Sequence, residues 1–300
     1  MRGEWAALGA ALLWASMSRI YADWGRTFAP LLLNWLKGVL ALAMFALTLA
    51  GRGEGWPPVG GWPLVGLAVS GILGIGVGDT AFFAALNSLG AQRTLLMDTL
   101  SPMLVTLLAW LTLGEQIEPV RLLGMVLTVT GVAVTVTERP VTVRERFHLW
   151  PGLAWGMIFA LSQAAGVVLS RWALADSPLT PVWSTTIRLT AGVLVLGLGV
   201  ARPECAPGWR ALRKHPRWLW GLAGTAFLST YVGIWLQQTA LKWAPAGIAQ
   251  TLSSTSPLFA LLLARAAGER VSRRAWLGVG MALVGCGWLF KIFSPVGRGG

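Results

Sequence analysis

Apolar residues run along this chain in blocks too long and too uniform for a soluble core. The hydrocarbon layer of a bilayer is crossed by roughly 20 apolar residues of helix, each rising about 1.5 Å. Ten stretches meet that demand: 4–20, 30–50, 62–84, 92–113, 119–136, 149–171, 181–200, 217–240, 245–266 and 274–293. Charged, Pro- and Gly-rich connectors separate them, such as "GRGEGWPPVGG" at 51–61, "TERPVTVRERFH" at 137–148 and "ARPECAPGWRALRKHPR" at 201–217. Backbone polar groups in lipid must be satisfied inside the protein, which leaves helices or closed barrels. The runs lack the alternation of barrel strands. The pattern predicts an all-α integral membrane protein with ten transmembrane helices.

Composition sharpens this picture. Hydrophobic residues make up 55% of the chain and charged residues 12%, where a soluble surface takes about a quarter charged. The mean hydropathy is +0.64. Many of the 18 tryptophans, Trp5, Trp24, Trp56 and Trp150 among them, fall near predicted span ends, where indoles anchor at the interface. The start, "MRGEWAALGAALLWASMSRI", opens like a secretory signal. Its apolar run is as long as a span and no cleavage stretch follows, so it reads as the first helix.

The net charge of +12 is spread over short connectors, which suits membrane lipids and topology setting and excludes nucleic acid as a partner. Cys205 and Cys286 lack redox or metal spacing, and His148 and His215 both sit in connectors. No metal site, nucleotide-binding motif or other cofactor is expected. Gly74, Gly76 and Gly78 lie inside an apolar run without the Lys-Ser/Thr of a phosphate loop. Ser70, Gly74 and Gly78, at four-residue spacing, read as a small-residue packing seam, as do Gly124 with Thr128 and Gly278 with Ala282.

One phrase is written twice. "TLSPMLVTLLAWLTLGE" at 99–115 and "STSPLFALLLARAAGE" at 254–269 each set Ser-Pro near the start of an apolar run and Gly-Glu at its end. Aligning Ser101-Pro102 with Ser256-Pro257 brings Gly78 onto Gly233, Ala85 onto Ala240 and Ala91 onto Ala246. A slip of one residue then matches Gly124 to Gly278 and Gly131 to Gly285; upstream, Pro30 matches Pro181 and Lys37 matches Arg188. The expected organisation is a first five-helix repeat at 1–139, a linker at 140–147, a second at 148–295 and a tail at 296–300. An odd number of spans per repeat makes the second enter the membrane from the opposite side. Inverted repeats supply two packings of similar energy around a central site, the basis of alternating access.

"LLWASMS" at 12–18, "GDTAFFAALNSLGAQRTLLMDTLSPMLVTLLAWLTLGE" at 78–115 and the Gly-rich runs at 119–136 and 274–293 resemble an EamA-type member of the drug/metabolite transporter superfamily. The resemblance covers nearly the whole chain. It implies a ten-helix fold whose cavity is lined by helices 1–4 and 6–9, with helices 5 and 10 packed together away from it. It implies transport, often export, of amino-acid-like or other small solutes. A monomer in the plasma (inner) membrane is expected, with protons as the natural coupling ion. Efflux of lipophilic cations is the rival function, and a non-transporting scaffold or lipid-handling protein is a third. No nucleophile or paired acid–base motif suggests an enzyme.

Asp79 and Asp98 are the carboxylates placed well inside spans, where an ionisable group costs roughly 2.5–3.5 kcal/mol on insertion scales. Asp98 reads either as a cavity-facing proton or cation site or as a helix tether near the headgroups. Asp79 reads as an ion-pair partner of Lys37 or as transport chemistry. Lys37 and Arg188, each about two turns into a helix, either snorkel or hold inward carboxylates, including one on the substrate. Ser101, Gln163, Gln237, Gln250 and Ser253 are candidate cavity polar groups, with interhelical hydrogen bonding the alternative. Pro102 and Pro257 are expected to kink their helices and serve as gates. Trp14, mid-helix, either stacks on substrate or fills the bundle.

Basic residues favour the side of the odd-numbered connectors, with Arg139, Arg144, Arg146, Arg210, Arg213 and Lys214 among them. The positive-inside rule then puts those connectors in the cytoplasm and both termini outside. The family resemblance implies termini inside, so the two expectations conflict.

Overall fold

The computed structural model describes residues 2–53, 55–57, 59–137, 149–175, 177–266 and 272–291, and every regular element among them is helical. The linker with Arg139, Arg144, Arg146 and His148, the tail, and the second Gly268-Glu269 lie outside the described residues.

The first half contains α1 (Arg2–Trp24), α2 (Pro30–Arg52), α3 (Gly61–Gly71), a π-helical stretch at Ile72–Gly78, α4 (Asp79–Asp98), α5 (Ser101–Leu113) and α6 (Pro119–Thr137). The second contains α7 (Leu149–Leu174), α8 (Pro181–Gly197), the short interfacial α9 (Ala206–Lys214), α10 (Trp218–Ala226) and a π-helical stretch at Phe227–Val232. It continues through α11 (Gly233–Trp243), α12 (Ala246–Ser253), α13 (Ser256–Ala266) and α14 (Arg273–Lys291). Six of the described helical stretches are long and apolar enough to cross a membrane, and α5 is a shorter apolar one. Leu47, Leu111, Leu194, Leu277 and Leu283 face outward, a surface suited to lipid.

Local rules explain the boundaries. Pro30 and Pro181 open α2 and α8 at the first turn, where a missing N–H costs no hydrogen bond. Thr180 accepts from the Trp183 amide as the α8 cap. Pro102 and Pro257, the expected kink positions, each follow an interruption of the helical path by two residues. The chain breaks at Thr99–Leu100 and at Ser254–Thr255, and each proline lies in the first turn of a new helix. Gly114 closes α5 in the left-handed conformation (φ 66°) that only glycine adopts without strain. Replacing it with alanine should cost about 1 kcal/mol in thermal-unfolding measurements, although the space around it is open.

The turn expected at 85–91 takes an unusual form. Along α7, Gly166 meets Ser70 and Gly74, Gly78 meets Ser162, Phe159 meets Phe82, and Gly152 meets Leu89. The order then reverses: Met97 lies against Gly156, and Glu115 pairs with Arg171. The chain therefore doubles back between Leu89 and Met97, within the stretch assigned to α4. In the second half, the corresponding place carries Pro245, and the helix stops between Trp243 and Ala246.

The most extensive helix pair is α6 with α14. Gly124 lies against Gly285, and Gly131 against Gly278 and Ala282, so the two run antiparallel. A Cβ on Gly131 would stand 2.5 Å from the Ala282 amide and the Gly278 carbonyl. Gly131→Leu should therefore separate the helices and cost several kcal/mol, read as lost thermal stability in detergent.

Candidate functional site

The N-terminal end of α1 is packed solid. Ala6, Ala7, Ala240, Ala244, Ala246 and Ile248 form part of a continuous buried core there. Farther along α1 the bundle hollows into a cavity of about 500 Å³, whose lining runs from Trp14 to Tyr21 on that helix. Two π-helical stretches flank it, and they begin at matching positions: Ile72 and Phe227 are as far apart as Ser101 and Ser256. Such wide turns leave carbonyls outside the regular ladder. Asn34 Nδ2 donates to the Ile75 carbonyl at 2.7 Å, and Trp14 Nε1 donates to the Ser229 carbonyl at 2.9 Å.

The charged side chains converge on the first of these stretches. Lys37 Nζ donates to Asp79 Oδ2 at 2.6 Å, with the two side chains 10% and 20% exposed. Gln163 Nε2 lies 3.4 Å from the other Asp79 oxygen. The Phe83 ring centroid is 5.2 Å from the ammonium and adds a cation–π contact. Asp79 is thus already held from two sides. Across the same cavity Arg188 is 2% exposed, yet its Nε and Nη1 have no hydrogen-bond partner among the described residues. Gly71 and Gly74 make its place. A Cβ on Gly71 would overlap the Arg188 carbonyl, and one on Gly74 would lie 3.0 Å from Nη2.

The repeat explains this imbalance. Lys37 and Arg188 are counterparts, but the residue matching Asp79 is Ile234. One half carries an ion-paired cation and the other a guanidinium with no ion pair among the described residues, both facing one cavity. A buried guanidinium stays charged and is costly without an anion beside it.

Of the sequence-derived candidates, Trp14, Lys37, Asp79, Asp98, Gln163 and Arg188 line the cavity, and so do Gln237, Gln250, Ser253 and Pro257. Ser101 and Pro102 do not. Ser101 is buried and donates to Asp98 Oδ1 at 3.3 Å, and the Pro102 carbonyl accepts from Thr106. Ser253 Oγ is buried without a partner, as is Ser254 Oγ beside it. Neither Lys37 nor Arg188 snorkels to an interface; both are buried.

Sequence reasoning missed Tyr21, whose hydroxyl pairs with Ser229 at 2.7 Å, because it sits where the first apolar run fades. It also missed two carboxylates. Glu4 is fully buried although the apolar pattern puts it at a span edge. Glu115 pairs through Oε1 with Arg171 Nε at 2.6 Å and accepts the Ala246 amide on Oε2 at 2.9 Å. Arg171 Nη1 also donates to the carbonyls of Leu241 and Lys242, and Lys242 Nζ to those of Ser177 and Leu179. These contacts stitch α5, α7, α11 and α12 together at the solid end. Gly-Glu in the repeated phrase was the available signal, because a left-handed glycine turns the following side chain back across the bundle.

A family model described as "EamA-like transporter family" matches the chain twice, over residues 1–137 and 150–291. The chain belongs to this family. It is an integral, multi-pass membrane protein of a transporter family, and small solutes and lipids are the partners that membership suggests. One solved structure, given as "Crystal structure of protein", superimposes with a TM-score of 0.75 over 97% of this chain and 98% of its own. At 18% identity it shows the shared fold alone. No curated protein matches the chain.

Proposed function

We propose that this EamA-like transporter is a secondary carrier that exports a small, carboxylate-bearing solute, amino-acid-like in size, by alternating access. The observation that carries this reading is the buried guanidinium of Arg188 in the cavity with two N–H groups unpartnered. A carboxylate supplies the charge-assisted acceptor oxygens that this guanidinium lacks. Lys37 and Asp79 neutralise each other, which leaves one further cation, Arg188, and one separate carboxylate, Asp98, on the cavity wall.

Ten spans in two oppositely directed repeats supply the motion. The α6–α14 crossing supports this, because Gly124 meets the counterpart of Gly131 and Gly131 meets the counterpart of Gly124. In antiparallel helices such an exchange is what a two-fold axis across them produces. The solid end held by Glu115 and Arg171 is then the closed gate, and the cavity side is the open one.

A second reading, efflux of lipophilic cations, is favoured by Asp98, which among the described side chains is hydrogen-bonded by Ser101, in a cavity walled by Trp14, Phe82, Phe83 and Phe159. Proteoliposome flux of labelled amino acids, nucleosides and lipophilic cations, with and without a pH gradient, separates the two. Carboxylate flux that Arg188→Gln abolishes supports the first, and cation flux that Asp98→Asn alone abolishes supports the second. Silence across the panel returns the chain to a scaffold.

Orientation has a clean test. Cys205 and Cys286 are both buried, and burial pushes the Cys205 thiol above its ordinary range. Gly55→Cys, in open space on the connector that shares a side with the termini, is then the reactive thiol. Labelling of intact cells by an impermeant maleimide is expected if the charge bias sets topology. Labelling only after permeabilisation is the family-like outcome.

A further inference from the structure

We infer that α9 and the turn before it form a docking site for the headgroup of an anionic phospholipid. The connector between α8 and α10 folds as a helical turn at Pro203–Cys205 followed by α9. It lies beyond the end of α8 at Gly197 and before the start of α10 at Trp218, which places it at headgroup depth. Its inner face is pinned. Cys205 and Leu212 are buried in a cluster with Phe28 and Leu32. Gly208 lets the helix lie flat, since a Cβ there would stand 2.7 Å from Leu32 Cδ2. Trp209 is fixed from two sides: its Nε1 donates to the Val200 carbonyl at 3.0 Å, and its ring meets Trp35 edge-on at 5.9 Å.

The outer face encloses a recess of about 430 Å³ lined by Arg202, Arg210, Arg213 and Trp209 with two alanines. None of the three guanidiniums has an ion-pair or hydrogen-bond partner among the described residues. Glu204, the only carboxylate in the connector, pairs with none of them. Three guanidiniums around one recess, beside a rigid indole at the interface, match a phosphate with a second anionic charge or acidic diester. General attraction between basic connectors and a negative membrane needs no recess and no fixed wall. This site depends on neither the cargo nor the direction of transport.

The test is thermal unfolding of the purified full chain in detergent, titrated with phosphatidylglycerol, phosphatidylcholine or inorganic phosphate. Phosphatidylglycerol should raise the midpoint, and the other two should not. R210Q/R213Q should need about thirtyfold more phosphatidylglycerol for the same shift. R273Q/R274Q, which removes equal charge at another connector, should leave the titration unchanged. Equal loss in R273Q/R274Q, an equal shift with phosphatidylcholine, or full reproduction by inorganic phosphate each overturns the proposal. Should R210Q/R213Q not be monodisperse, R202Q carries the same comparison with an expected loss of about fivefold.

Discussion

Arg188→Gln should abolish flux of the carboxylate cargo while leaving the empty protein at least as stable as the wild type. These two effects point in opposite directions for one reason. The guanidinium is 2% exposed with two N–H groups unpartnered and no ion pair among the described residues, a largely desolvated charge. Removing it relieves a cost, as replacing buried ions often does. With cargo bound, the same fork makes charge-assisted bonds, and truncating one partner of such a pair costs about 2–5 kcal/mol. Apparent affinity should then fall by about thirtyfold to several thousandfold. Arg188→Lys keeps the charge and loses the fork, so it should fall between. Asp79→Asn is the contrast. It strips Lys37 of its partner at 2.6 Å and should destabilise the protein by about 3–5 kcal/mol. If Arg188→Gln melts well below the wild type, the guanidinium is a structural strut and the cargo assignment fails.

Glu115→Gln should open the sealed end. Glu115 holds Arg171 and caps the first amide of α12 at once, with the ion-paired side chains 15% and 18% exposed. A half-buried pair of this kind lies between the surface and interior limits, about 1–3 kcal/mol. Spent on a two-state equilibrium, that raises the population open at this end by about five- to hundredfold. Ala7→Cys, buried in the plug with no exposure, reports it through its maleimide labelling rate. The charge swap E115R/R171E should not restore closure, because arginine at 115 would face the positive end of α12. Unchanged labelling of Ala7→Cys in the Glu115→Gln background would show that the contacts hold no gate.

Much of the fold could be read because lipid makes backbone bonding local, so apolar run length translates directly into helices. The reversal between Leu89 and Met97 was placed within a few residues, but its form was not, since nothing in "SLGAQRT" announces a turn that stays helical. The cavity candidates mostly came from polar residues spaced along one face, a signal that survives in membranes because lipid tolerates none on the other. The bare state of Arg188 was also on the page, in the match of Asp79 to Ile234. Only the structure adds that Asp79 is already occupied by Lys37 and Gln163. Glu115 escaped notice because span counting treats every residue at an end as wet.

The α6–α14 crossing presents one surface that serves as both lock and key. On the proposed two-fold arrangement, a half-length chain bearing it would close the same contact with its own twin, and joining two such chains in tandem replaces a chance meeting with a tether. The two halves, produced as separate polypeptides, carry in those glycines the means to find each other.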